Sequence, residues 1–348
     1  MELEKKYINL EDLKVGMITS QEIMIDNAVL VGKNIYITEA ILKKLIEFYP
    51  GKQIWVYAPK EINHKEMEEL KKVQNEFKAV SDSIKDIFTE NSINLKATSE
   101  ISKYSVELEK FISSNKSVLK NLIINGSNED SIYTHSVNVA SLSYLIGKWQ
   151  GYDNKKLHNL VYASLLHDFG KTKIDENIIN KKEPITKDEY DILKTHSSLS
   201  YNAVKAIPYI NRDIALGILL HHERNDGSGY PLGITGDKIP EIAKIIAIAD
   251  VFDAINSNRV YKKKKQPFEA LQEIKEESIK GKLDYALCDT FLKGLLNFYV
   301  GQEVVLSNGE VGRIVQMDIN NISQPLILCA EEFIDLKTNK ELTVIKIL

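Results

Sequence analysis

The residues best suited to chemistry are five histidines and two aspartates in the middle of the chain: His135, His167, Asp168, His196, His221, His222 and Asp250. Asp250 lies inside the apolar run 245–251, where a helix would bring its carboxylate to or near a buried face. A buried carboxylate left alone is costly, so such a group is paired or bound to a cation. A salt bridge to an arginine is one solution. His167-Asp168 closes the apolar run 160–166, and His221-His222-Glu223 closes 214–220 in the same way. Taken singly, each histidine could be a satisfied core residue. Convergence on metal accounts for all of them together. Imidazole with carboxylate suits Fe, Mn or Zn. Seven donors exceed the four protein ligands of a closed zinc site. They would serve two six-coordinate ions, bridged by one carboxylate and one solvent hydroxide. Such ion pairs, about 3.5–4 Å apart, hydrolyse phosphodiesters by clamping the attacking and leaving oxygens.

These residues need helices to position them, and the pattern supplies them over 115–298. Apolar periodicity with glycine and proline stops predicts helices at 136–149, 155–167, 187–207, 211–222, 242–257, 268–280 and 285–298. Between two of them lies a glycine-rich loop, 223–240, with Gly227, Gly229, Gly233 and Gly236 framed by Pro231 and Pro240. Upstream, 1–58 reads as a small β-rich module with strands at 28–31, 34–37 and 53–57 and one short helix at 39–49. Residues 59–119 form a polar helical linker. Within it Leu70, Val73, Phe77, Val80, Ile84 and Ile87 keep a heptad-like spacing. This stripe either packs on its own chain or pairs with a second copy, a homodimer through residues 67–88. Downstream, 299–348 reads as strands at 304–306, 311–315, 326–329 and 342–347, with Asn308-Gly309 as a hairpin turn, a small C-terminal β-barrel.

Composition sets the frame. The 348 residues are 43% hydrophobic and 27% charged, ordinary globular usage for two or three domains. A net charge of −4 lends no support to DNA or RNA binding driven by charge. No apolar run approaches the ~20 residues of a membrane span, and the N-terminus shows no signal-peptide pattern. Two distant cysteines, Cys288 and Cys329, fit a reducing, cytoplasmic location.

The motifs resemble a known family. His135, His167-Asp168 and Asp250 reproduce the H…HD…D pattern of the HD phosphohydrolase superfamily. The fuller pattern is similar to its HD-GYP branch, the bacterial cyclic-di-GMP phosphodiesterases. It is carried by His167-Asp168-Phe169-Gly170-Lys171, by 221–231 from His221-His222-Glu223 to Gly229-Tyr230-Pro231, and by Ala249-Asp250-Val251-Phe252-Asp253-Ala254, Arg259 and Tyr261. The likeness covers 120–298, about half the chain. It implies a mainly α, multi-domain protein: an all-α HD-type catalytic domain with small β-rich modules at both ends. It also implies that the seven residues bind two divalent ions, iron first and manganese also suited, with Asp168 bridging and a metal-bridging hydroxide as nucleophile. Lys171 would contact the scissile phosphate and protonate the departing oxygen. Gly229, Tyr230 and Pro231 would present the loop to a guanine or a phosphate. Arg259 and Lys262 would hold the substrate's phosphates.

Two further expectations concern departures and neighbours. Part of the family takes a third ion through a glutamate four residues before the first histidine. That position is Ser131 here, and Glu129 and Asp130 fall off the helical face, so two ions are expected. Glu223 is read as a residue orienting a ligand histidine, and His64 and His158 as surface residues. The resemblance implies hydrolysis of cyclic-di-GMP to linear pGpG, with further cleavage to GMP left open. A cyclic-dinucleotide receptor without turnover, and another HD-superfamily phosphohydrolase, are the alternatives.

Overall fold

The computed structural model describes residues 3–25, 28–59, 64–89, 93–115, 117–124, 131–181, 183–257, 268–330 and 332–348. These divide into two compact units, one within 1–68, 266–268 and 295–348, the other within 69–265 and 269–294.

The first unit holds the strands. They are β1 (Leu3–Asn9), β2 (Ile18–Thr19), β3 (Ile23–Ile25), β4 (Ala28–Val31), β5 (Gln53–Pro59), β6 (Glu303–Leu306), β7 (Val311–Gln316), β8 (Leu326–Cys329), β9 (Glu332–Asp335) and β10 (Val344–Ile347), with helix α1 (Glu39–Phe48). β1, β5 and β2 make one antiparallel sheet and β3–β4 a hairpin. Their core gathers Leu10, Leu13, Ile37, Leu45, Ile54 and Val56. The downstream strands form a second antiparallel sheet in the order β10-β6-β7-β8-β9. Gly309, at φ 87°, supplies the left-handed residue of the β6–β7 turn. Among the described residues no ladder joins β9 to β10, so the hydrogen-bonded sheet is open where the sequence suggested a barrel. The segment read as a strand at 34–37 is instead a pair of isolated bridges, and one of them, Ile35 to Glu310, links the upstream and downstream β modules. Tyr36 N–H donates to Gly309 O at 2.8 Å beside it.

The second unit is helical: α2 (His64–Thr89), α3 (Leu95–Ser114), α4 (Ser117–Ile124), α5 (Ile132–Trp149), α6 (Asn154–Leu166), α7 (Glu176–Ile179), α8 (Lys187–Lys194), α9 (His196–Lys205), α10 (Arg212–Leu220), α11 (Glu241–Asn256), α12 (Glu269–Ile279) and α13 (Tyr285–Tyr299), the first and last of which extend into the other unit. Starts are capped as their sequences suggest. Ser131, Asp153 and Asn211 side chains accept from backbone N–H groups of α5, α6 and α10. α8 opens on a capping box between Thr186 and Glu189. At the centre α5 packs on α6 and α11, and α10 packs on α6, α9 and α11. Leu160, Leu165, Ile245 and Ile248 are fully buried there, each contributing about 1.5–3 kcal/mol.

Two expectations change. The helix at 187–207 is two helices, because the chain tightens at Thr195, whose N–H and hydroxyl both donate to Ile192 O. The stripe on α2 is already covered from within: Val73, Phe77, Val80, Ile84 and Ile87 are buried. Phe77 meets Phe111 of α3, and Ser81 hydrogen-bonds Thr134 of α5. Of the two readings of this stripe, packing on its own chain is the one these contacts match.

Candidate metal centre

Five separate elements deliver the seven residues. His135 stands in the first turn of α5, and His167 caps the C-terminus of α6. Asp168 follows and leads into the 3-10 turn Phe169–Lys173. His196 opens α9, His221 caps α10 with His222 after it, and Asp250 projects from α11. The structure brings them into two groups: Asp168, His196, His221 and His222 in one, and His135, His167 and Asp250 in the other. Within each group the donor atoms lie within 4.8 Å of one another.

The hydrogen bonds fix which nitrogen faces inward. His167, His196 and His221 each place Nδ1 within 2.6–2.7 Å of a backbone carbonyl three residues earlier, on Ser164, Leu193 and Ile218. A carbonyl only accepts, so each Nδ1 carries the proton and each Nε2 presents a bare lone pair. Those lone pairs meet other acceptors. His196 Nε2 lies 3.4 Å from His221 Nε2 and 3.3 Å from Asp168 Oδ1. His167 Nε2 lies 3.5 Å from Asp168 Oδ2. The Nε2 atoms of His135 and His167 and Oδ1 of Asp168 are buried without a hydrogen-bond partner among the described residues. Asp250 Oδ1 is 3.1 Å from His135 Nε2 but is not aligned for a hydrogen bond. Buried acceptors facing one another need a cation between them, and this donor set fits divalent metal.

The electrostatics agree. Burial pushes His167, His221 and His222 below their ordinary range, and His196 down to about 4. These four imidazoles are therefore neutral, the form that binds metal. Burial pushes Asp168 up, but the Lys171 ammonium 2.6 Å away outweighs it and holds the carboxyl well below its usual range. Burial pushes Asp250 up as well, but the protonated His135 beside it holds the carboxyl well below its usual range. His135 differs. Burial lowers it, but the carboxylates of Asp250 and Asp253 prevail and raise it to about 9.

The remaining expected residues fall around this centre. Lys171 Nζ donates to Asp168 Oδ2 at 2.6 Å. Tyr230 stacks on His222, ring centroids 4.6 Å apart and planes 27° apart. Gly227 takes φ 80°, whereas Gly229 is required for room: a Cβ there would lie 2.4 Å from His222 O and Arg224 N. Pro231 follows Tyr230 across a cis peptide. Arg259 and Lys262, with Tyr261, Glu129 and Asp130, lie outside the described residues, as does the His64 side chain. Glu223 does not orient a histidine. Its buried carboxylate accepts from the N–H groups of Leu232, Gly233 and Ile234 at 2.6–3.1 Å and ties the loop down. His158 is half-buried rather than on the surface and pairs with Glu109 at 3.0 Å. Sequence reasoning missed Asp253, whose Oδ2 takes the His135 Nδ1 proton at 2.7 Å. Its spacing of three from Asp250, which puts both on one face of α11, was the available signal.

A family model described as HD domain matches residues 110–287. The chain belongs to the HD domain family. Cyclic di-GMP phosphodiesterase PdeB of Borreliella burgdorferi is 31% identical to it over 193 residues, covering 56% of this chain and 50% of that protein. A cyclic di-GMP phosphodiesterase of Thermotoga maritima is 37% identical over 166 residues, 46% of this chain and 44% of that protein. The 3'3'-cGAMP-specific phosphodiesterase 1 of Vibrio cholerae is 31% identical over 48% of this chain and 38% of that protein. This HD domain chain spans about half the length of the curated relatives it matches. Among solved structures it is similar to Bd1817, a HDG"Y"P protein from Bdellovibrio bacteriovorus, with a TM-score of 0.53 and 17% identity over 84% of this chain and 99% of that one. That likeness is one of fold. The expected mainly α architecture, an all-α HD domain with β modules at both ends, is what the structure has. None of the described helices is long and apolar enough to cross a membrane.

Proposed function

We propose that this chain is a metal-dependent phosphodiesterase that hydrolyses cyclic-di-GMP to linear pGpG. One observation supports the reading: imidazole nitrogens and carboxylates converge, and among the described residues His135 Nε2, His167 Nε2 and Asp168 Oδ1 are buried there without a hydrogen-bond partner. His135, His167 and Asp250 would hold one divalent ion and His196, His221 and His222 a second, with Asp168 shared; iron fits best and manganese also suits. When bound, such a pair neutralises phosphate charge and lowers the pKa of a water held between the ions.

The chain's own groups do the rest. Lys171 is the ammonium beside Asp168, 2.6 Å from its carboxylate, where it would meet a phosphate oxygen bound at the centre and donate a proton to the departing oxygen. Tyr230, with Gly229 and Pro231, borders the His222 side, where a base or phosphate would lie against the loop. Arg259 and Lys262 are the candidates for gripping the second phosphate. The names of the relatives, cyclic di-GMP phosphodiesterases in Borreliella burgdorferi and Thermotoga maritima, support this substrate class. A second reading, cyclic GMP–AMP as substrate, is favoured by the cGAMP-specific relatives from Vibrio cholerae. Free, buried Cys288 and Cys329 suit work in a reducing cytoplasm.

The test is anaerobic incubation of the protein, loaded with Fe(II) or Mn(II), with each dinucleotide, and chromatography of the products. Linear pGpG from cyclic-di-GMP is the expected result, and GMP beside it would mean a second cut. Protein that has taken up metal yet cleaves neither dinucleotide would overturn the reading in favour of a receptor.

A further inference from the structure

Four of the five clustered histidines have the same kind of anchor. His167, His196 and His221 hold theirs on backbone carbonyls, and His135 on the Asp253 carboxylate, all at 2.6–2.7 Å. Such a bond fixes both the tautomer and the ring rotation of a metal ligand. His222 has none. Among the described residues its Nδ1 has no hydrogen bond, and Asp250 Oδ2, at 3.9 Å, is beyond reach. Its hydrogen bond is on the inward side, Nε2 to His196 Nε2 at 3.0 Å, a contact that an ion held between the two rings would replace, so what keeps the ring aimed with metal bound must lie elsewhere.

The candidate is the tyrosine ring lying over it. Tyr230 covers one face of His222 in a near-parallel stack, whereas the neighbouring rings of His221 and His196 meet it tilted by 45° and edge-on at 84°. Tyr230 is itself held from both sides. Its N–H donates to His222 O at 3.2 Å. Before it, Gly229 packs so tightly on His222 O and Arg224 N that no side chain fits. After it, the N–H groups of Leu232, Gly233 and Ile234 are tied to Glu223, the residue next to His222. The loop thus folds back on the segment that carries the ligand and lays one ring across it.

We propose that Tyr230 is a positioning residue for the metal centre: its ring takes the place of the Nδ1 hydrogen bond that the other four histidines have and sets the orientation of His222. This rests on the reading of the seven residues as metal ligands. His222 belongs to the group with Asp168, His196 and His221. Loss of the ring therefore weakens the ion held there and spares the one between His135, His167 and Asp250. The phenol hydroxyl has no part in this role.

The experiment compares wild type, Tyr230→Phe, Tyr230→Ala and Tyr230→Leu by equilibrium dialysis against Mn(II) with metal analysis, and follows the His222 imidazole by NMR in the metal-free proteins. Wild type and Tyr230→Phe should take up two ions alike, with one His222 ring conformer. Tyr230→Ala should lose affinity for one ion by roughly 10–100-fold, as losses of orienting contacts do, and show an averaged His222 ring. Tyr230→Leu keeps bulk without a flat face and should behave like Tyr230→Ala; it carries the test if Tyr230→Ala does not fold. Equal uptake of both ions by Tyr230→Ala or Tyr230→Leu and wild type would overturn the inference. So would a Tyr230→Phe defect as large as that of Tyr230→Ala. Wild type that takes up no Mn(II) or Fe(II) would instead defeat the underlying metal reading.

Discussion

Asp253 stands behind His135, its Oδ2 2.7 Å from Nδ1, while Nε2 on the far side of the ring faces Asp250 at 3.1 Å. Oδ1 of Asp253 is filled by Asn138 Nδ2 at 2.8 Å and Ser257 Oγ at 3.1 Å. A carboxylate in that place makes the imidazole a stronger donor to metal than a carbonyl would. Asp253→Asn turns an N–H donor toward groups that already donate. Metal affinity should fall about 10–100-fold, read by dialysis against Mn(II). Unchanged affinity would reduce the Asp253 contact to packing.

His135 also sets the pH dependence. In the metal-free protein it keeps its proton up to about pH 9, so metal must displace that proton. Loading at pH 7 should release a proton, seen by calorimetry in buffers of different ionisation enthalpy, and affinity should rise with pH until it levels near 9. The raised value also stabilises the metal-free fold, fully below the ordinary 6.5 and progressively less as pH rises through about 9. Affinity that does not change between pH 6 and 9 would contradict this.

Gly170 is the point where the turn after Asp168 touches α9. A Cβ there would lie 2.1 Å from His196 O and 2.8 Å from Ser200 N, and Gly170 N–H already donates to Ser200 Oγ at 2.7 Å. Gly170→Ala must push the start of α9 away and carry His196 with it. The expected result is a loss of about 1–3 kcal/mol in urea unfolding together with lower metal content. Native stability with two ions bound would show that α9 can yield without cost.

Phe88 on α2 presses its ring edge-on against Phe169 at 4.9 Å and meets Tyr133 at 5.7 Å. Those residues flank Asp168 and precede His135 by two. Phe88 is fully buried, so Phe88→Ala should cost about 3–5 kcal/mol in denaturant unfolding, and Phe88→Leu distinctly less. Near-neutral behaviour of Phe88→Ala would mean that α2 is dispensable to the helical unit.

What could be read in advance follows physical range. Asp250 was legible because a charge in an apolar helix demands a partner, and the paired histidines because they end apolar runs. Their convergence followed from chemistry rather than from any one segment. Glu223 was misread because its partners are backbone N–H groups nine to eleven residues on, and backbone donors leave no mark in a sequence. The α2 stripe announced that it would be buried but not by what: its cover, Phe111 and Thr134, comes from helices later in the chain. The role of Phe169 as a packing point left no local mark, because its neighbour Phe88 is far away in sequence. The break at Thr195 was hidden because threonine interrupts a helix only when its hydroxyl turns back to a carbonyl, as it does here to Ile192.

The Glu223 tether has a consequence for how the ions arrive. Three amide protons of the loop are satisfied by a side chain of the protein, not by a cation or a bound substrate. The conformational entropy of the loop is therefore lost when the chain folds, and an incoming ion meets a cradle already shaped. On the reading of the seven residues as metal ligands, selection among metals would then fall to the spacing of the donors rather than to the folding of the loop.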